Sequence, residues 1–291
     1  MNRAKNLLVS NLYLSVSKRS VDSSVIDHLI DLVDSDLSAA FTDLVYDRTS
    51  LHFTSTSVQS LSNTLQRYLE YAETLEPRRG SEDDTAHPAF SNIVDNLSIF
   101  QQVEGVDVPR GALEVRGNLA KYIAGVEGVE LLEYGFCEGN EYKRLRDVRR
   151  EKGWFEQGGG GVNAISIGVL NKFITNYNVR VNVERSVAVK CSAKVRKISG
   201  QGDVEALTLN YGEGRWEIAC NILHGGDGVV GEGGAVWGEN EIMRVVRDTL
   251  NDEIGEKANE IEVFGYRVGL SEMEHVEKYE AGIGVNEFID L

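Results

Sequence analysis

One group in this chain has the placement of a general acid or base. His87 follows Asp83-Asp84-Thr85-Ala86 and precedes Pro88, in a polar loop between a helical pattern and a strand pattern, where a scaffold presents a proton-transfer group to a cleft. The neighbouring carboxylates orient the ring and favour its protonated form. Three other histidines read as structural or surface groups: His28 within an amphipathic helix, His52 within a strand and His275 within a charged helix near the end. A second feature is a basic cluster, Lys143, Arg144, Arg146, Arg149, Arg150 and Lys152, running up to Gly153-Trp154-Phe155. Such a stretch is either a solvated helix face or a local trap for an anionic small molecule, whose carboxylates pair with arginine forks. Gly226-Asp227-Gly228-Val229-Val230-Gly231 matches the dinucleotide fingerprint formally. It fails on context, since helical periodicity resumes only near Glu239 and Asp227 and Glu232 would repel a pyrophosphate.

The whole chain bounds what these groups can serve. It has 291 residues, 42% of them hydrophobic and 26% charged, which is globular composition and enough for one large domain or two ordinary ones. Its net charge of −16 argues against nucleic-acid binding, because that field repels a phosphate backbone. No apolar run reaches the ~18 residues of a membrane span. The start is basic, as in some organelle transit peptides, but lacks the apolar core of a signal peptide, so a cytoplasmic protein is expected, with organelle targeting left open. Cys137, Cys191 and Cys220 are too widely spaced for a disulfide framework or a Cys-x-x-Cys clamp, and no metal site is expected.

The elements that would position these groups follow from periodicity. Leu7 to Val16 reads as a strand, Val21 to Val33 as an amphipathic helix, and Ala39 to Tyr46 and Leu51 to Thr56 as two strands about a turn at Asp47-Arg48-Thr49. Val58 to Leu75 follows as a second helix and Ile93 to Phe100 as a strand, completing β-α-β-β-α-β, the ferredoxin-like order. A helix near 111 to 125, a strand at Val129 to Tyr134 and a helix near 140 to 151 extend this half. Gly80 is the single glycine among the first 100 residues, and Gly158-Gly159-Gly160-Gly161 is the sharpest break. The expected domains are therefore 1–157 and 158–291. The second repeats the order: a strand at Lys172 to Val183, a segment at 185 to 198 that suits helix or strand, a hairpin about Gly212-Glu213-Gly214, a helix at Glu239 to Ile254 and a strand at Glu260 to Arg267. The expected fold class is α+β, with two ferredoxin-like subdomains.

The chain resembles the formiminotransferase domain, the transferase part of formimidoyltransferase-cyclodeaminase and its stand-alone plant relatives, over nearly its whole length. Leu12-Tyr13-Leu14-Ser15 looks like the family's opening strand, Asp43-Leu44-Val45-Tyr46-Asp47-Arg48 like a plant-type Asp-x-x-Tyr-x-Arg stretch, and His87-Pro88 falls at the catalytic His-Pro. Asn176-Tyr177-Asn178-Val179 is similar to the strand opening the second subdomain. The segment from Tyr211 through Gly212-Glu213-Gly214 to Ala219-Cys220-Asn221-Ile222-Leu223 is similar to a plant-type hairpin.

The resemblance implies two α/β subdomains with a folate-binding cleft between them, commonly in a homodimer, and a helix at 185 to 198. It implies transfer of a formimino or formyl group between glutamate and tetrahydrofolate as co-substrate, with His87 as general acid and base. The loop joining the subdomains would contact folate, which by position includes Gly158, Gly159, Gly160, Gly161, Val162, Asn163 and Ala164. In that chemistry the folate nitrogen attacks the formimino carbon, and the glutamate nitrogen gains a proton before it leaves. Asp43 would stabilise the imidazolium and Arg48 hold a substrate carboxylate. Pro88-Ala89-Phe90-Ser91 stands where the family has Pro-Arg-x-Gly, so a folate-binding protein without turnover and an interaction protein on the same scaffold stay open beside the transferase.

Overall fold

A computed structural model describes residues 7–17, 21–32, 36–75, 94–101, 109–137, 142–152, 164–198, 204–223, 229–230, 236–285 and 288–290. In chain order the first elements are β1 (Leu8–Leu14), α1 (Ser23–Asp31), β2 (Leu37–Asp43), β3 (Arg48–Ser55), α2 (Val58–Glu73) and β4 (Val94–Gln101). Next come α3 (Arg110–Ile123), β5 (Glu130–Gly135), α4 (Leu145–Glu151) and β6 (Ala164–Leu170). They are followed by β7 (Ile174–Val181), α5 (Arg185–Val195), β8 (Val204–Asn210), β9 (Trp216–Leu223), the two-residue strands β10 (Val229–Val230) and β11 (Val236–Trp237), α6 (Glu239–Ile254) and β12 (Val263–Val268). The chain closes with α7 (Glu272–Ala281) and β13 (Ile289–Asp290). The fold is α+β, with helices packed on mixed and antiparallel sheets.

Local chemistry sets the boundaries. Asp22 caps α1 by accepting from the Ser24 amide, and Ser57 caps α2 by accepting from the Ser60 amide, each satisfying a first-turn donor that has no intrahelical partner. Ser271 and Glu274 form a reciprocal capping box on α7, which ends at Gly282 in the left-handed region. The β8–β9 turn places Gly212, Glu213 and Gly214 at φ of 81°, 51° and 74°. Two of the three are glycines because three consecutive left-handed residues are costly with side chains.

The compact units are Met1–Asn171 with Leu270–Leu291, and Lys172–Gly269. The first holds a seven-stranded sheet, β13-β2-β3-β1-β4-β6-β5, within which β1 to β4 are antiparallel neighbours. Its core lies under α1, α2 and α3, with Leu12, Leu51, Phe53, Leu97, Ile167 and Val169 beneath Leu61, Leu65 and Tyr68. The Tyr68 hydroxyl donates to the Leu29 carbonyl at 2.6 Å, so this ring is buried without an orphaned polar atom.

The second unit holds the sheet β12-β7-β9-β8, covered on one face by α5 and α6. Along β7 buried and half-buried residues alternate strictly, with Tyr177, Val179 and Val181 in the core. The segment from 185, which suits helix or strand by periodicity, is α5, with Val187, Cys191 and Val195 buried.

The units divide after Asn171, whereas the glycine run places the expected boundary at 157/158. The reason is β6, which starts at Ala164 and pairs in parallel with both β4 and β5, joining the first sheet. Every β6 residue is buried. Among the described residues no helix is long and apolar enough to cross a membrane.

Candidate functional site

Register assigns each strand residue of the first unit to a face. Leu8, Leu12 and Leu14 of β1 face the helices, so Val9, Asn11 and Tyr13 face the opposite way, and pairing carries Arg48, Ser50, His52 and Thr54 of β3 to that same second face. Asn96, Ser98 and Phe100 of β4, Ala164, Ser166 and Gly168 of β6, and Leu132 and Tyr134 of β5 join them. Polar side chains alternating with apolar ones would ordinarily meet water. Here Asn11, Ser50, His52, Ser98 and Ser166 are all buried. α4 packs at the β5 edge and α7 packs on β2 and β3.

At the β4–β6–β5 end this face gathers a hydrogen-bonding group. The Tyr134 ring crosses β6 at Gly168, where a Cβ would lie within the ring itself, so only glycine fits. Burial raises the Tyr134 hydroxyl above its ordinary value, opposed by a hydrogen bond from Asn96 and the charge of Arg149. Arg149 donates from Nη2 to Ser166 Oγ at 3.3 Å. Asn11 Oδ1 and Asn96 Oδ1 are buried without a hydrogen-bond partner among the described residues. Buried acceptors are nearly always satisfied. These two lie on one face, on neighbouring strands and beside a tyrosine and an arginine.

The basic cluster divides accordingly. Arg149 turns to the sheet, while Arg150 lies 3.5 Å from Asp147 and Lys152 lies 2.5 Å from Glu130, both at exposed positions. Asp43 ends β2, buried, and its Oδ1 accepts from the amides of Val45 at 2.8 Å and Tyr46 at 3.0 Å, steadying the β2–β3 turn. Arg48 is its cross-strand neighbour. Ala164 is the first residue of β6, on the second face. His87, Gly158, Gly159, Gly160, Gly161, Val162 and Asn163 lie outside the described residues.

Sequence reasoning did not single out Asn11, Asn96, Tyr134 or Ser166. The signal available was the alternation itself: polar residues at every second position of strands that are flanked on both sides by other strands.

Elsewhere in the first unit a cleft of about 400 Å³ is lined by Asp36, Ser38, Ser57, Lys278, Tyr279 and Ile283, among others. Its hydroxyls are engaged internally, as where Ser60 Oγ donates to Asp36 Oδ2 at 2.6 Å. Burial pushes the thiols of Cys137 and Cys191 up to about 11 and that of Cys220 up to about 12, far from the depressed values of nucleophilic thiols. Among the described residues no three His, Cys, Asp or Glu side chains gather as a metal site.

No protein-family model matches the chain, and no curated protein matches it. Among solved structures, the first half of the periplasmic protease PqqL from Escherichia coli is similar over 89% of this chain and 70% of that one, at 10% identity and a TM-score of 0.23. A likeness of that size supports no conclusion about fold or activity.

Proposed function

We propose that the protein is a folate-dependent one-carbon transferase that moves a formimino or formyl group between glutamate and tetrahydrofolate, built on two ferredoxin-like units. The supporting observation is the pair of buried acceptors, Asn11 Oδ1 and Asn96 Oδ1, on the second face of the first unit's sheet. A reduced pterin presents ring and amino N–H donors along one edge, which is the complement of such acceptors. The ring of Tyr134 supplies a flat apolar contact, and Arg149 a cation for a glutamate carboxylate. The strand order β4-β1-β3-β2 in the first unit and β12-β7-β9-β8 in the second, each from a β-α-β-β-α-β run, supports the ferredoxin-like assignment.

In the proposed reaction the folate nitrogen adds to the formimino carbon. His87 takes the proton released from that nitrogen and gives one to the glutamate nitrogen as its bond to carbon breaks. Arg48 and Asp43, cross-strand neighbours at the β2–β3 turn, are the proposed carboxylate and imidazolium partners. Calorimetric titration with tetrahydrofolate, followed by an assay of formiminoglutamate consumption, tests the reading. Absence of binding removes it. Binding without consumption favours a folate-binding protein, the alternative favoured by Pro88-Ala89-Phe90-Ser91 standing in place of Pro-Arg-x-Gly.

A further inference from the structure

We propose that α7 together with β13 is an acid-released strap, held on the first unit's sheet at neutral pH by the stacking of His275 on His52 and let go when the ring pair takes up protons. The two imidazoles stack with centroids 5.7 Å apart and planes 13° from parallel. Phe41 closes edge-on against His52 at 5.3 Å. Both histidines are buried, at 1% and 0% exposure.

Hydroxyls line the Nδ1 side of His275. Ser38 Oγ donates to the His52 carbonyl at 3.0 Å and lies 3.1 Å from His275 Nδ1, Thr54 Oγ1 donates to Ser38 Oγ at 3.1 Å, and His275 Nδ1 lies 2.8 Å from Thr54 Oγ1. His52 Nε2 meets Ser50 Oγ at 3.0 Å. Both rings are thus bound through hydroxyls in their neutral forms. A second proton on either ring puts a charge in a buried layer against another ring.

The groups facing this pair do not favour charge. On α7, Lys278 donates to the Ser38 carbonyl at 3.0 Å and opposes protonation of His275, as does His52 itself. Glu274 of α7 is tied to the Ser271 amide at 2.6 Å, and Glu272 and Tyr279 lie on the same helix. Just before β2, Asp36 accepts from Ser60 and Thr64, and at the end of β2 Asp43 accepts from the turn amides. Asn11 of β1, the cross-strand neighbour of His52, is neutral. Burial holds His52 down to about 3 and His275 well below its ordinary 6.5.

The sign follows. Above about pH 6.5 both rings are neutral whether docked or released, and docking is at full strength. Below it the released rings bind protons that the docked rings refuse, and docking weakens by about tenfold per ring per pH unit until the docked values are reached. Between pH 7 and pH 5 one such ring shifts the equilibrium by on the order of tenfold, and the second acts in the same direction. Release uncovers the outer edge of β2, which β13 pairs at Phe41 and Thr42, and removes the Lys278–Ile283 wall of the 400 Å³ cleft. An uncovered edge strand is a template for pairing with another extended chain.

Hydrogen exchange read by mass spectrometry, corrected for intrinsic rates, tests this on the whole chain. The expected result is that protection of 272–281 falls by about tenfold or more from pH 7 to pH 5 while the β1 peptide keeps its protection. The double variant His52→Gln with His275→Asn, which keeps one hydrogen-bonding atom of each ring and cannot titrate, should remove that loss. Unchanged protection of 272–281 in the wild type overturns the strap, as does an equal loss in β1, which would mean global unfolding. An undiminished loss in the double variant overturns the histidines' part. If the variant is already undocked at pH 7, the wild-type comparison of 272–281 with β1 decides alone.

Discussion

In the second unit Glu217 is fully buried, yet its carboxylate is surrounded. Asn178 donates to Oε1 at 2.8 Å, Tyr266 to Oε2 at 2.5 Å and Arg180 to Oε2 at 3.2 Å, with the guanidinium lying 3.8 Å from the Tyr211 ring centroid and 4.3 Å from that of Tyr266. In the first unit the corresponding sheet face carries Asn11 and Asn96, whose Oδ1 atoms have no such company among the described residues. The same order of strands thus supports two finishes. One cluster satisfies its own polar atoms, and the other holds two amide oxygens without a partner among the described residues, which the proposed function assigns to a ligand.

The sharpest way to separate the two is to remove the proposed proton carrier of the first unit. His87→Ala should lower formiminoglutamate turnover by ~10² to 10⁴-fold while folate affinity stays within twofold. Steady-state kinetics beside calorimetry checks both halves, and undiminished turnover would take His87 out of the mechanism.

The converse experiment belongs to the second unit. Glu217→Ala leaves Arg180, Asn178 and Tyr266 without their shared acceptor. The cost should be about 3 kcal/mol of stability, at the low end for a broken buried pair because 19% of the Arg180 side chain still reaches water. Urea unfolding reads it, and a loss below about 1 kcal/mol would mean that the cluster does not hold the sheet.

Asn11→Ala should behave oppositely. Removing an orphaned acceptor relieves a cost of about 1 to 3 kcal/mol that offsets the small cavity left behind, so stability should change little. Folate binding should weaken by about tenfold. A variant that loses stability with unaltered affinity would return Asn11 to the scaffold and erase the contrast between the faces.

How much of this the sequence reveals depends on which signal each residue carries. The helices α2 and α6 and the β8–β9 hairpin are legible within a few residues, because one buried face imposes a clean period and Gly212-Glu213-Gly214 fixes the turn. β6 is not legible. In Ala-Ile-Ser-Ile-Gly-Val-Leu the residues Ile165, Ile167 and Val169 alternate with small or polar ones, but the segment is short, buried on both faces and follows directly on a glycine run, so it reads as the end of a loop. The second face of the first unit is hidden for a related reason. Asn11, Ser50, Asn96 and Ser166 look like solvent-facing positions, and only the register that lines them up and the burial that covers them separate a site from a surface. Asp43 and Arg48 stand out by motif, and the β2–β3 register makes them neighbours, but the two amides on the Asp43 carboxylate become visible only in three dimensions.

The smallest expected effect divides the basic cluster. As sequence, Arg149 and Arg150 are equivalent members of one run. In the structure Arg149 reaches Ser166 on the sheet face, while Arg150 is exposed beside Asp147. Arg149→Ala should therefore weaken folate binding by about tenfold, with a loss that persists at high salt because a partly buried contact is poorly screened. Arg150→Ala should change affinity by less than about twofold, as exposed pairs contribute little, and that difference should vanish as salt rises. Isothermal titrations at low and high ionic strength distinguish the two. Equal, salt-sensitive losses in both variants would mean that the run acts only as a diffuse positive field, and the second face would then lose its proposed carboxylate anchor while keeping its two acceptors.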